Sequence, residues 1–323
     1  MYRHLLVPLD SSDRCTEGVG NAVELARTVG ARVTFLHVEG EPADDGRARV
    51  AEVLAKAEAA AHAYGVPCGA SRAAGGQPGE AIVAAARGDG CDLIFIAAAP
   101  TPGCPSATHV SSLLLQAGIP VLWSSHPPDA PGHAIGIIRD EHRSLAAVLH
   151  ASTSALAAAS GSGHAADPVK MQAIVRYLQL FSASLHHPKE ERHLFRRLRA
   201  RTDCVDAELD ELERQHARDR ELVAELARRV DLLLASTPDA AAAVVTTRAL
   251  EDALRSYAAF QWEHMGREES VILPAAQRHL TPADWSAIDA GFIADLDPRS
   301  GDEAAAEVRR LLSTIVDGAE ACP

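Results

Sequence analysis

The sequence predicts a two-part chain: an α/β domain built on a parallel sheet, followed by an all-α antiparallel four-helix bundle. Three observations predict it. Short apolar runs separated by amphipathic stretches fill the first third of the chain, the pattern of strands joined by helical crossovers into a sheet covered on both faces. A proline-rich segment, SSHPPDAPGH at 124–133, then interrupts the chain, as linkers do. Beyond Ile135 strand-like alternation disappears and apolar residues recur every three or four positions, the helical period. The 323 residues are enough for two cores, since domains commonly hold about 100 to 200 residues. The expected domains are 1–132 and 133–323.

In the first domain the strands read as HLLVPLD (4–10), RVTFLHV (32–38), CDLIFIA (91–97) and IPVLWSS (119–125). Between them the helices are Glu17 to Val29, stopping at Gly30, then GEAIVAAARGDG (79–90) and VSSLLLQAG (110–118). A ligand of such a sheet belongs at the carboxyl ends of the strands. In the second domain the main helices span about 136–159, 168–199, 204–235 and 238–279, with a shorter pair near 282–294 and 302–317. Asp167-Pro168, Thr237-Pro238 and Thr281-Pro282 each set a capping side chain before a proline at the first helical position. Short connections make the four helices antiparallel, and the small, polar ASGSGHAAD (159–167) reads as a mobile loop.

The formal charge of −13, with no basic cluster to offset it, argues against a nucleic-acid partner. No run approaches the roughly 18 apolar residues needed to cross a bilayer, and the first residues lack a secretory pattern, so the expected location is cytoplasmic. Six scattered cysteines, none in a C-x-x-C pair, read as reduced thiols rather than a disulfide framework or zinc site. Fifteen histidines stand against six phenylalanines and four tyrosines, and ten of them follow residue 130. That asymmetry directs attention to the bundle.

The expected core stripe of the fourth helix is Leu250, Leu254, Tyr257, Gln261, His264, Glu268, Val271 and Ala275. The third gives Val205, Leu209, Leu212, His216, Val223 and Val230; the second Ile174, Leu178, Leu185 or His186, and Glu190; the first Ile138, His142, Leu145 and Leu149. These steps of three and four put the polar residues on the same faces as the leucines. One histidine on an apolar stripe is ordinarily a hydrogen-bonded core residue. Four imidazoles and two carboxylates in one bundle are different, because each unpaired buried charge costs several kcal/mol unless something compensates. A pair of divalent metals compensates directly. His186 with Glu190 and His264 with Glu268 are i,i+4 pairs, each able to reach one metal, and the two carboxylates can bridge ions about 3.5 to 4 Å apart. His142 and His186 would serve one metal, His216 and His264 the other. Successive helical residues diverge by about 100°, so only one of His186 and His187 can face the centre in a regular helix. The H-x-x-x-E-E register shared with His264 selects His186, and Pro188 should bend the helix locally.

IIRDEHRSL (137–145), HHPKEERHLF (186–195), QHARD (215–219), EHMGREESVILP (263–274) and LTPADWSAIDAGFIADLDP (280–298) together resemble the hemerythrin-like, or HHE cation-binding, family. The resemblance implies a non-haem centre of two iron ions in a four-helix bundle that binds oxygen or reacts with related small species. Carried onto this chain, the metal ligands are His142, His186, Glu190, His216, His264 and Glu268. Oxygen-carrying members have a second histidine one turn after the third-helix ligand, where this chain has Arg220. One iron would then lack a nitrogen donor, favouring reactivity or sensing over storage, unless His187, His193, Asp219 or Tyr257 substitutes. Imidazole with carboxylate suits iron, zinc or manganese alike; iron rests on the resemblance.

HLLVPLDSS, VTFLHV, GQPGEAIVAAARGDGCDLIFIA and GIPVLWSS resemble the universal stress protein family. Its ATP-binding members carry a glycine signature after the fourth strand. Here Ala97 and Ala107 occupy glycine positions, and Pro100 and Pro102 remove amide donors, which argues against a phosphate cradle. Asp10 and Thr108 remain as nucleotide contacts, Asp10 equally as a helix cap. The family pairs through its last strand, so VLWS (121–124), with Trp123 in the contact, is the expected homodimer edge. The combined expectation is a stress-related protein that binds or senses oxygen, nitric oxide or peroxide at two irons, with the first domain dimerising or signalling. Two alternatives stand beside it: a nucleotide-responsive module with a structural bundle, and an oxidoreductase acting on peroxide or nitric oxide.

Overall fold

In the computed structural model, residues 2–9, 13–38, 44–73, 78–96, 118–123, 133–236, 239–296 and 303–317 are described. The chain divides into two units, Met1–Ala130 and Pro131–Pro323. The first contains, in order, β1 (His4–Leu9), α1 (Asp13–Val29), β2 (Arg32–Val38), α2 (Asp44–Ala63), β3 (Cys68–Ala73), α3 (Pro78–Gly88), β4 (Leu93–Ile96) and β5 (Val121–Trp123). The strands form one sheet in the order β3-β2-β1-β4-β5, and every pairing is parallel.

Alternate residues of the inner strands go to opposite faces, as the pleat requires. Leu5, Val7 and Leu9 pack with Val19, Val23 and Ala26 of α1 and Val53, Leu54 and Ala57 of α2. Leu6, Leu36, Ile94 and Ile96 pack on the other face with Val83 and Ala86 of α3. The first helix stops where the sequence placed its end. Gly30, at φ +70°, carries the left-handed turn that lets the Ala31 amide reach back to the Ala26 carbonyl at 2.8 Å, a Schellman closure that a Cβ would disfavour.

The apolar pattern announces neither of two further elements. The edge strand β3, CGASRA, has no fully buried residue, so nothing selects an apolar run there, and α2 precedes it. The order of strands reverses between β1 and β4, the switch point at which doubly wound sheets bind ligands. Asp10, Ala97, Pro100, Pro102, Ala107 and Thr108, the expected 110–118 helix apart from Gly118, and linker residues 124–132 fall outside the described residues. Among the described residues β5 pairs only with β4, and its Leu122 is 40% exposed.

In the second unit, α4 (His133–Ser162) is followed by α5, which runs as Pro168–Leu180, a π-helical Phe181–His186, His187–Lys189, a second π-helical Glu190–Phe195, and Arg196–Arg201. α6 is Asp206–Ser236. α7 runs as Ala240–Arg267, a π-helical Glu268–Ile272, and Leu273–His279; α8 (Pro282–Leu296) and α9 (Glu303–Asp317) complete the unit. α4 to α7 form the four-helix core, with α8 packed on α4 and the second π segment of α5, and α9 on α4 and α5.

Asp167 caps α5 through Val169 N at 2.9 Å ahead of Pro168. Thr281 and Asp284 cap α8 reciprocally, with Asp284 N to Thr281 Oγ1 at 3.3 Å and Thr281 N to Asp284 Oδ2 at 2.9 Å. At α7, however, the cap is Asp239 rather than Thr237, its Oδ1 accepting from Ala241 N at 3.0 Å. The expected loop at 159–167 is also shorter than its composition implied. α4 continues through Ser162 and closes at Gly163, φ +71°. Among the described residues, no helix is long and apolar enough to cross a membrane.

Candidate metal centre

The π-helical segments decide which side chains enter the bundle. Two of them end two residues before a proline, Pro188 and Pro274. Proline lacks an N–H and clashes with the carbonyl four residues back, and a wider i→i+5 turn accommodates both defects. On α5 both neighbouring histidines are buried where a regular helix would turn only one inward: His186 is 1% exposed and His187 3%. On α7 the same distortion shifts the stripe by one position, so Ile272 is fully buried while Val271, expected in the core, is 36% exposed.

Two groups of buried donors result. His142, His186, Glu190 and Glu268 bring one donor atom each within 4.8 Å of one another, and His187, His216 and His264 do the same. All seven side chains are 3% exposed or less. The two carboxylates span the groups. Glu190 sets Oε1 at 3.5 Å from His186 Nε2 and Oε2 at 3.7 Å from His216 Nε2. Glu268 sets Oε2 at 2.9 Å from His142 Nε2, and Oε1 at 3.6 Å from His264 Nε2 and 3.8 Å from His216 Nε2.

The outer nitrogens close a ring around the bundle. Glu141 of α4 faces His186 Nδ1 of α5 at 2.9 Å, and Glu191 of α5 faces His216 Nδ1 of α6 at 2.7 Å. Gln215 of α6 faces His264 Nδ1 of α7 at 3.0 Å, and Glu269 of α7 faces His142 Nδ1 of α4 at 2.8 Å. Each helix thus holds the imidazole of the next through a residue adjacent in sequence to its own donor. Apart from the 2.9 Å contact of His142 Nε2 with Glu268 Oε2, the inward Nε2 atoms of these four histidines and the oxygens of Glu190 and Glu268 have no hydrogen-bond partner.

Those inward atoms test whether a cation fits. Ligands at about 2.1 Å from a metal and at right angles to one another lie roughly 3 Å apart. The observed spacings of 2.9 to 3.8 Å are of that order. Imidazoles whose second nitrogen is fixed by a carboxylate or amide oxygen are the arrangement metal-binding histidines adopt. Burial pushes His264 down to about 3 and His187 well below the ordinary histidine value, keeping both neutral, the form that coordinates. Burial also lowers His142, but Glu268 and Glu269 on either side outweigh it and lift the group to about 9. Burial and the charge of Glu268 raise Glu190 well above the carboxylate range. For Glu268 burial acts upward too, yet His264 and His142 hold it well below.

Residues 133–276 match the family model described as hemerythrin HHE cation binding domain, and residues 1–122 match the universal stress protein family. The chain joins a universal stress protein domain to a hemerythrin HHE domain. Three solved structures resemble the first domain. A universal stress protein family member from Burkholderia pseudomallei is 26% identical over 38% of this chain and 96% of its own, TM-score 0.31. An Archaeoglobus fulgidus universal stress protein in complex with dAMP is 24% identical over 38% of this chain and 97% of its own, TM-score 0.32. An Arabidopsis thaliana family protein with AMP bound is 16% identical over 40% and 95%, TM-score 0.32. No curated protein matches the chain significantly.

In the HHE domain three of the four substitutes for the nitrogen missing at Arg220 make other contacts. His193 Nε2 is 3.1 Å from Asp295 Oδ2, and Asp219 accepts from Tyr257 OH at 2.8 Å. The third imidazole beside His216 and His264 is His187, its ring stacked on His216 at 3.8 Å between centroids. Its signal in the sequence is the HHP triplet, of which a regular helix would turn only one histidine inward. The outer acceptors were also missed; their signal is an acceptor next to each donor, in EH, EE, QH and EE.

Proposed function

We propose that the HHE domain holds two iron ions bridged by Glu190 and Glu268, one on His142 and His186, the other on His187, His216 and His264. The proposal extends to function: this centre binds or senses a small oxidant or diatomic ligand (oxygen, nitric oxide or peroxide), while the universal stress protein domain serves dimerisation or signalling. The observation that carries the reading is that each bridging carboxylate turns one oxygen to each donor group. When bound, an iron pair supplies open coordination positions and one-electron redox steps. The chain's own residues decide where those positions open. Two imidazoles converge on one side and three on the other, so the His142 and His186 side has the greater room for a small ligand. Phe181, stacked on His186 at 5.0 Å between centroids, and the apolar core keep bulk water from that side. Glu141 fixes the His186 ring and is itself held by Lys189, so the ring cannot turn when a ligand enters.

Anaerobic titration with ferrous iron, followed by oxygen, nitric oxide or peroxide in parallel samples, tests the proposal. It expects two irons per chain and a charge-transfer band in the near ultraviolet that responds to one of the three. Protein that stays colourless and iron-free after loading contradicts it.

A further inference from the structure

A second buried polar group lies one layer along the bundle, and the centre just described does not use it. Tyr257, 1% exposed, donates its hydroxyl to Asp219 Oδ1 at 2.8 Å. Gln261 Nε2 reaches the same oxygen at 2.5 Å and the Tyr257 oxygen at 2.8 Å. The Ser182 hydroxyl lies beside the pair. Asp219 and Gln261 are 1% and 0% exposed. Helical register sets the group against the metal donors. Asp219 follows His216 by three residues, Gln261 precedes His264 by three and Ser182 precedes His186 by four, each one turn away on the same face. Tyr257 precedes His264 by seven residues, about 10 Å along the helix axis.

A carboxylate in an apolar core is costly to bury, and hydrophobic replacements are often at least as stable, so stability alone is a poor account of Asp219. The pairing has a chemical use. A phenol surrounded by apolar groups cannot give up an electron unless its proton leaves too, because the cation radical is a strong acid with no water to receive the proton. Asp219 is an acceptor in direct hydrogen-bond contact.

We infer that Tyr257 is a one-electron donor to the neighbouring centre, passing its phenolic proton to Asp219, when hydrogen peroxide is reduced there. The inference rests on the two-iron reading above. The step balances as hydrogen peroxide, one ferrous ion, the tyrosine, the Asp219 carboxylate and two protons giving two waters, one ferric ion, a neutral tyrosyl radical and protonated Asp219. The O–O bond breaks, and its two electrons come from the ferrous ion and Tyr257. Gln261 stays hydrogen-bonded to the phenolic oxygen and stabilises the radical. Tyr177 is the competing residue, fully buried and stacked through Phe181 toward His186; the carboxylate contact is what selects Tyr257.

The test mixes the full chain, loaded anaerobically with ferrous iron, with hydrogen peroxide and freezes it for electron paramagnetic resonance. A tyrosyl radical signal is expected, lost in Tyr257→Phe at unchanged iron content and strongly reduced in Asp219→Asn, whose amide cannot take the proton. If Tyr257→Phe fails to hold iron, a fluorinated tyrosine placed at 257 alone must change the hyperfine pattern. Ferrous iron consumed without a radical, a signal that survives in Tyr257→Phe and vanishes in Tyr177→Phe, or an unchanged pattern with the fluorinated residue each overturn the inference and leave the two-iron reading standing. Failure of the wild-type chain to take up iron overturns both.

Discussion

Glu141 joins the donor cluster to the surface, and its removal has two separable consequences. Its carboxylate contacts both His186 Nδ1 and Lys189 Nζ, in side chains 14% and 4% exposed for Glu141 and Lys189. In Glu141→Ala the ammonium of Lys189 loses its partner in the interior, a loss that costs about 3–5 kcal/mol at buried pairs. For a unit of this size each kcal/mol lowers the melting temperature by about 2–4 °C, which gives a fall of roughly 6–20 °C. Lys189 also lines a cavity of about 330 Å³ with Arg192 and Asp295, so its ammonium can swing toward water or Asp295. That relief sets the expectation at the lower end, roughly 6–10 °C. The second consequence is an unheld His186 ring, which weakens metal binding by about 10–100-fold.

Thermal melts of metal-free protein read the first effect and competition with a chelator reads the second. Adding Lys189→Met to Glu141→Ala removes the stranded charge, so the double variant should recover most of the melting temperature and none of the affinity. A single variant that melts with wild type, or a double variant that recovers both properties, refutes the reasoning.

His187→Ala takes one of three imidazoles from its donor group and should lower iron content toward one per chain at unchanged helicity, as metal analysis and circular dichroism will show. Gly291→Ala places a methyl 2.5 Å from the His193 Nδ1 atom. This overpacking should cost about 1–3 kcal/mol in a thermal melt, with His193→Ala in the same chain restoring the loss. Asp284→Ala removes one half of the reciprocal α8 cap and the partner of Arg201, costing about 0.5–2 kcal/mol at neutral pH. Arg201 and Thr281 hold the Asp284 carboxyl below its ordinary value, so its contribution is present above the unfolded pKa of about 3.9 and fades as pH falls below it. The melting difference between variant and wild type should therefore shrink in acid and stay constant from pH 6 to 8 (about two units above that value); a difference growing in acid contradicts the assignment.

How far the sequence could be read depended on how regular each element is. LLVPL and VTFLHV announced central strands because both sheet faces bury them, whereas CGASRA at the sheet edge has no buried row to select apolar residues. Counting by three and four placed His142, His216 and His264 among the buried leucines, and all three are 3% exposed or less. The same counting failed where the helix itself changes. Across Phe181–His186 and Glu268–Ile272 the wider turn brings His187 inward and exchanges Val271 for Ile272. Pro188 and Pro274 marked both places, but a proline says that a helix must yield without saying whether it bends or widens. Arg220, where a nitrogen donor was missed, is exposed, and the imidazole comes from the preceding helix. The outer ring of Glu141, Glu191, Gln215 and Glu269 could not be assigned from periodicity, because it depends on which helix neighbours which.

The central claim is that Glu190 and Glu268 each bind two cations at once. Mössbauer spectra of the chain loaded with isotope-enriched iron and oxidised test it most directly. A bridged pair predicts two ferric ions coupled to a diamagnetic ground state, with matching silence in electron paramagnetic resonance. Magnetically isolated ferric ions, or a single iron per chain, would contradict it.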